Sequence, residues 1–513
     1  MLTMSRYLLG IDVGTSSLKV AVIDEDAALI GLSSSKYALI MPDERSVQID
    51  AQSMWRAFLS CLCDLKQKGI DLRLVVGISI SSLCPGLTAF DEKGNVLVDP
   101  IIYSDRRSTK EADYIRDRVG ADKLFEITAN GTMAGAFSGS SMLWIKNNLP
   151  EVYAKTRYFG HLNTYMACRM TGQFAIDYSN ASYTNLFETT GGRKWSEYVC
   201  EKIGIEIDKL PPLHESTEVV GELVNADLID LGIKRGTAVV IGGADTPCAS
   251  IVAGVTRSGD VCESVGTTDV LTVCIDKPVF GHEFINRCHV VPGTWIYQGA
   301  MSFTGAANAW FLKEFYTEFT SDCRSTVEAL KKVNEQAALA EPGCGGVVFL
   351  PYMLGERSPI WDAYARSVFF GISVNTTRSD MNRAVLESCA YGLRQMCHIA
   401  EKLTGNRIAR FSSIGGGAKS EVWAQIKADI TGRSITVLDM NDMAPVGAAM
   451  LAGVGTSVFK DIFAASQKAG RKIFREFTPT EDPAVKAVYD QRYETYLGLY
   501  PALKELFRQS LKK

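Results

Sequence analysis

The chain has 513 residues, enough for two to four domains at about 100–200 residues each. Its composition, 46% hydrophobic and 22% charged, is that of a globular chain with a large core and excludes dominant disorder. A net charge of −4 with no long Lys/Arg run argues against a nucleic-acid partner, and 13 cysteines without a CxxC pair fit reduced thiols.

The opening MLTMSRYLLGID carries one basic residue and an apolar run much shorter than a signal segment needs, and no segment reaches 18 apolar residues. A cytoplasmic protein without membrane attachment is expected. LGIDVGTSSLKVAVID, residues 9 to 24, then predicts a hairpin interrupted by Asp12, Gly14, Thr15, Ser16 and Ser17. A turn of Gly, Thr and Ser exposes backbone N–H groups and hydroxyls, which forms a concavity for anionic oxygens. It is neither a GxxxxGK[ST] loop nor a G-x-G-x-x-G fingerprint, because a second strand follows the turn. Asp12, just before the turn, can hold Mg²⁺ directly or through water, and Lys19 can neutralise a phosphate as a point charge.

VVIGGADTPCASIVAGV, from Val239, predicts a strand, a glycine-rich turn and a helix. Asp245 ends that strand, either as a helix N-cap with Pro247 in the first turn or as a carboxylate facing a cleft. SVGTTDVLTVCID, from Ser264, repeats DVGTSSLKVAVID at an offset of 252 residues, close to half the chain. FSSIGGGAKSEVWAQI, from Phe411, is a second strand, turn and helix, and pairs with the stretch from Val239. Two related α/β domains in series are predicted, residues 1–254 and 255–513, with the boundary in AGVTRSGD, 253 to 260. The first half is longer by about 79 residues between its two motifs, which are assigned to a substrate-recognition excursion. The small residues of APVGAAMLAGVG predict a helix that either faces adenine or packs closely on a neighbour, and one or two helices follow Thr478.

Five ordered stretches together resemble the FGGY family of carbohydrate kinases, within the actin-like ATPase superfamily. GIDVGTSSLK and SVGTTDVL resemble the two phosphate motifs, and IGGGAKSEVWAQIKADITGR the adenosine motif. LPYMLGERSP (350 to 359) and SVFFGISVNTTRSDMNRAVLES (367 to 388) resemble family signatures. The resemblance implies an α/β fold of two actin-like (ribonuclease H-like) domains in tandem, with ATP and a sugar in the cleft between them. It implies phosphate contacts from Gly14, Thr15, Ser16, Lys19, Gly266, Thr267, Thr268 and Gly305, and adenosine contacts from Gly416, Gly417 and Ser420. It also makes Asp245 the base, which accepts a hydroxyl proton, and Asp12 the Mg²⁺ ligand.

IIYSDRRS resembles the segment whose aromatic and Asp bind the sugar, so Tyr103 and Asp105 become candidates. Xylulose kinases carry Gln-Met-His-Gly where this chain has Leu83-Cys84-Pro85-Gly86, and a Lys where it has Ser141. Cys84 and Pro85 are therefore altered sugar contacts, with Cys84 alternatively an inert buried thiol. The reaction expected is ATP-dependent phosphorylation of a small sugar or polyol, a pentulose such as xylulose first, with gluconate, another ketose or a pentitol as alternatives. A non-kinase actin-like ATPase would share the hairpins without using a sugar. The five histidines fall in no motif, and a homodimer is compatible with the sequence without being specified by it.

Overall fold

In the first half, β1 (Tyr7–Val13), β2 (Ser17–Ile23) and β3 (Leu29–Lys36) form an antiparallel meander around the predicted hairpin. β4 (Val75–Ser82) lies parallel to β1, and after β5 (Val219–Glu222) comes β6 (Ala238–Ala244), parallel to β4. The sheet order is β5-β6-β4-β1-β2-β3. β1 is buried on both faces from Leu8 to Val13, as a central strand covered on both sides must be. The computed structural model describes residues 6–440 and 442–510.

The second half repeats this plan with β7 (Val261–Val265), β8 (Asp269–Ile275), β9 (Ile285–Cys288), β10 (Trp295–Met301), β11 (Arg410–Ile414), β12 (Ser434–Leu438) and β13 (Ile473–Phe477). Its order is β9-β10-β8-β7-β11-β12-β13. A meander of β7, β8 and β10 replaces β1, β2 and β3, and β7, β11 and β12 run parallel as β1, β4 and β6 do.

The sheets correct one part of the repeat read from sequence. The strand at Val239 is β6, whose counterpart is β12, whereas the strand at Phe411 is β11, whose counterpart is β4. The hairpins were matched correctly, but the two strand-turn-helix stretches belong to different positions in their sheets. A glycine turn between strand and helix fixes local geometry and carries no information on which parallel strand it follows.

The correct partners are the helices after β6 and β12. α1 (Asp245–Val252) follows β6, α2 (Gly305–Phe315) follows β10, α3 (Met443–Gly455) follows β12, and α4 (Ile462–Lys468) comes next. α3 packs on α1 and across β1 and β4, joining the two halves. Its residues are buried almost all round, as expected of a helix with no solvent face. A Cβ on Gly447 would lie 1.9 Å from the Cys248 carbonyl oxygen, and one on Gly10 would lie 1.8 Å from that of Pro445. Close packing is thus what the small residues of APVGAAMLAGVG provide.

The excursion is a separate five-stranded sheet drawn from residues 39–40, 48–49, 86–90, 96–102 and 158–160, with helices from 109 to 203 packed around it. One helix, Pro483–Ser510, ends the described chain and buries Tyr489, Tyr493 and Tyr496. All 13 cysteines are unpaired thiols. Among the described residues no helix is long and apolar enough to cross a membrane.

Gly447→Val should lower stability by about 3 kcal/mol, since a backbone carbonyl and not a flexible side chain must move. Gly470→Ala, where an added Cβ meets nothing within 4 Å, should leave the midpoint of chemical denaturation unchanged.

Candidate active site

Both hairpin tips are open. At the first, the Gly14 amide donates to the Ser17 carbonyl at 3.0 Å, the Tyr37 amide donates to that of Ser16 at 3.0 Å, and the Tyr37 hydroxyl donates to that of Gly14. Ser16 is exposed at the tip, and Thr15 Oγ1 lies 3.2 Å from the Tyr103 hydroxyl. At the second, the Gly266 amide donates to the Thr268 carbonyl at 2.8 Å, with Gly266 and Thr267 exposed. The N-terminus of α2 presses on this turn: the Ala306 amide donates to the Thr267 carbonyl at 3.0 Å, and a Cβ on Gly305 would lie 2.1 Å from the Gly266 carbonyl oxygen. Gly415, at φ 94°, turns the chain after β11 against Val265, and beyond it Gly416 faces open space. Gly417 lies against Val265, and Ser420 caps the Glu421–Thr431 helix while accepting from Asn334 Nδ2 at 2.9 Å.

Two carboxylates lie at the strand ends of the first sheet. Asp12, on β1 next to the tip, is buried and accepts from Ser81 Oγ at 2.8 Å. Its pKa is pushed up to about 7, first by burial and then by the charge of Asp245, against the smaller pull of Ser81 and Lys19. Asp245 opens α1 as its first helical residue, with Ala244 in the capping position, so Asp245 is not the N-cap. Its carboxylate accepts from the Thr246 amide at 2.6 Å, and its pKa is raised by burial while the Arg287 guanidinium draws it back down. Lys19 stands opposite Asp12 in the strand pairing, but its ammonium ion-pairs at 2.6 Å with Asp442, which precedes α3. Among the described residues no group of three or more His, Cys, Asp or Glu is arranged to hold a metal ion.

Sequence reasoning missed the buried cation here. Arg287 on β9 is 2% exposed and donates to the Ser179 carbonyl at 2.8 Å and to Gln298 Oε1 at 3.1 Å. Its guanidinium carbon lies 4.0 Å from the centre of the Tyr183 ring, whose hydroxyl also donates to Gln298, at 3.0 Å. Its Nε has no partner. One charged residue inside the short strand INRC was the available signal. Arg357, in the GERSP stretch, donates from Nε to Ser302 Oγ at 3.1 Å and is a charged neighbour of Tyr183 and Tyr103.

The four sugar candidates divide. The Cys84 sulfur lies 3.8 Å from His161 Nδ1, and burial raises its thiol far above the usual range in the neighbourhood of Arg287 and Asp245. Pro85 follows it directly into the excursion sheet. His161, read from sequence as ordinary, is fully buried and held neutral, its pKa pulled down to about 4 by burial. Tyr103 is exposed beside the first tip. Asp105 is buried and already engaged: Oδ2 accepts from the Val47 amide at 2.7 Å and from Arg107 Nε at 2.8 Å, and Oδ1 from the Arg107 amide at 2.9 Å. It ties the 105–107 turn to the chain before residue 48.

Residues 7–252 match the N-terminal domain, and residues 262–456 the C-terminal domain, of the FGGY family of carbohydrate kinases. This chain belongs to that family. The xylulose kinase of Bacillus subtilis (strain 168) is 29% identical over 503 residues, covering 96% of each chain. The gluconokinase of the same organism is 27% identical, covering 98% of this chain and 96% of its own. The crystal structure of xylulose kinase from Rhodospirillum rubrum superposes with a TM-score of 0.90 at 26% identity, over 98% of this chain and 100% of that one. The chain is therefore an FGGY carbohydrate kinase of actin-like fold, an ATP-using sugar phosphotransferase.

A carbohydrate kinase of this build carries an electrostatic debt at Asp12. The folded protein holds a proton there up to about pH 7, whereas the unfolded chain releases it near pH 3.9. The folded state binds more protons through that window, so this group's contribution to stability falls as pH rises from about 4 to 7. Without nucleotide or divalent cation, Asp12→Asn should be more stable than the parent by roughly 2 kcal/mol at pH 8, and near parity at pH 4, in denaturant titrations.

Proposed function

We propose that this protein transfers the terminal phosphoryl group of ATP to a hydroxyl of a small ketose, a pentulose such as xylulose, with Asp245 as the base. The observation that carries this reading is the pairing of two repelling carboxylates beside an open phosphate-type turn: buried Asp12 near the end of β1, and half-buried Asp245 just after β6. The xylulose kinases among its relatives support the substrate class.

In this reading the amides of residues 14–16 and 266–268, with Gly305 at the start of α2, receive the phosphates, and Gly416, Gly417 and Ser420 border the adenosine. Lys19 serves the phosphates in competition with Asp442. Asp245 accepts the hydroxyl proton as the new P–O bond forms and the bond to the leaving ADP oxygen breaks. Arg287 keeps Asp245 ionised for that task, since burial alone would favour the neutral acid. Positioning matters more than basicity, because the transition state is loose. Cys84, Pro85 and Tyr103 border the sugar, and Asp105 supports that border through the 105–107 turn.

The donor set fits Mg²⁺. Asp12 is a hard oxygen ligand with one side-chain partner, and a cation relieves its repulsion with Asp245. Bound there, Mg²⁺ supplies charge neutralisation of the phosphate oxygens. We assign the division between the two halves to residues 254 and 255, the location to the cytoplasm without a nucleic-acid partner, and a homodimer as the assembly to test.

One observation favours a second reading. Arg287 is buried near Asp245 with no carboxylate ion-paired to it among the described residues, and its Nε is unpartnered, an environment that suits a sugar acid such as gluconate. A coupled ADP-release assay separates the two: xylulose should give the higher kcat/KM, and a preference for gluconate would transfer the assignment to the sugar acid. Asp245→Asn should lower sugar-dependent turnover at least 1000-fold with ATP affinity within threefold; normal turnover would remove Asp245 from the mechanism. Arg287→Met should move the acid limb of the pH profile of kcat/KM upward, because the carboxylate loses the guanidinium that draws its pKa down.

A further inference from the structure

A cavity of about 470 Å³ lies away from the candidate active site, between the 253–261 link, α4, and β11 to β13. It reaches the first residues of β7 and β11, whereas the candidate active site lies beyond their last residues. Three guanidinium groups border it: Arg257, Arg410 and Arg471. None of the three is ion-paired among the described residues. Asp260, the nearest acid in sequence, is occupied by its own turn, accepting from the Thr256 amide at 3.0 Å and the Arg257 amide at 2.8 Å. Glu476 is the other acid on the wall.

Arg257 is braced rather than free, with its guanidinium carbon 3.4 Å from the centre of the Phe463 ring. Arg471 is half-buried and binds backbone: Nε donates to the Val252 carbonyl at 3.1 Å, and Nη2 to Ser466 Oγ at 2.7 Å. Ser466 Oγ in turn donates to the Ile251 carbonyl at 2.6 Å. Ile251 and Val252 are the last residues of α1, and Asp245 is its first. The wall of the cavity is thus hydrogen-bonded to one end of a helix, about 12 Å long, whose other end carries the proposed base.

We propose that this cavity is a regulatory site for a small phosphorylated sugar, whose phosphate is held by Arg257, Arg410 and Arg471 and whose binding reaches Asp245 through α1. The chemistry on the wall selects the class. Unpaired guanidinium groups recognise phosphate bidentately. The volume exceeds what a lone phosphate fills and lies within the range of small organic ligands, and Thr256, Ser412 and Gln467 offer partners for hydroxyls. An anion on Arg471 competes with its bonds to Val252 and Ser466, which changes how the end of α1 is held.

The binding arm stands without the kinase reading; the coupling arm rests on it. Isothermal titration of the full chain with glucose 6-phosphate and ribose 5-phosphate, in saturating ADP, should show one site, with weaker binding of inorganic phosphate and none of glucose. Arg257→Ala and Arg410→Ala, both of exposed side chains, should each weaken that binding at least tenfold while leaving turnover without ligand unchanged. Binding that is absent, or that survives the double variant, would overturn the site. In the coupling arm, either sugar phosphate should change sugar-dependent turnover of the parent at least twofold and leave the double variant unaffected. Binding without any change in turnover would overturn the connection through α1, while an inactive parent that still binds would count against the kinase reading alone.

Discussion

The whole arrangement depends on how closely α3 lies against β1 and α1. Helix axes normally stay 8–10 Å apart because side chains hold them there, and at Gly10 and Gly447 there is no side chain to do so. Backbone carbonyls fill the space that a Cβ would take. The contact involves the equivalent helices after β6 and β12, so it relates the halves almost symmetrically and turns the same ends of both sheets toward each other. The open turns and the acids beside them, Asp12 and Asp245, are brought to one side by that orientation.

Within this near symmetry the electrostatics differ in an instructive way. In each half a serine on the adjacent parallel strand donates to a buried acid on the strand leading to the turn: Ser81 to Asp12 at 2.8 Å, and Ser413 to Glu263 at 2.6 Å. The second half then completes its cluster with Lys427, which is buried against Glu263 and lies 2.8 Å from Asp269. The Lys427 ammonium draws Glu263 below the usual carboxylate range against its burial, while burial and then the Glu263 charge raise Asp269 well above it. The first half has no equivalent. Lys19 turns to Asp442, and Asp12 is left facing Asp245. A buried charge left without its partner costs several kcal/mol, so the first half retains a demand for a cation that the second half has met internally. This asymmetry, more than the repeated turns, distinguishes the two halves.

The parts legible in the sequence were those encoded locally. The two hairpins, the acid before the first turn, the acid opening a helix after β6 and the long terminal helix each leave a signature within about fifteen residues. What required distant residues to meet was misread or missed. The pairing of the stretches at Val239 and Phe411 failed because their likeness is a local turn, while their sheet positions are set by which strands they pair with. The ion pair of Lys19 with Asp442, more than 400 residues away, leaves no local signature beside the turn. Asp105 reads as a sugar contact, and in the fold its carboxylate already accepts from Val47 and Arg107. Arg287 had no motif, and its importance comes from Ser179, Tyr183 and Gln298, contributed by both halves.

The one strand without a counterpart explains the excursion. β9 forms an edge of the second sheet, and an exposed edge is a liability that proteins cover. Here Asn130 covers it, with its side chain standing in for a strand: Oδ1 accepts from the Asn286 amide at 3.0 Å and Nδ2 donates to the Asn286 carbonyl at 2.7 Å. Trp295 adds a bond from Nε1 to the Thr189 carbonyl at 2.9 Å, and Arg287 reaches Ser179 from the next position on β9. The extra strand of one half and the extra segment of the other are therefore two sides of a single joint. It ties the halves at the Cys84, Tyr183 and Arg287 end, where the sugar is proposed to sit, in addition to the contact that α3 makes with α1, β1 and β4.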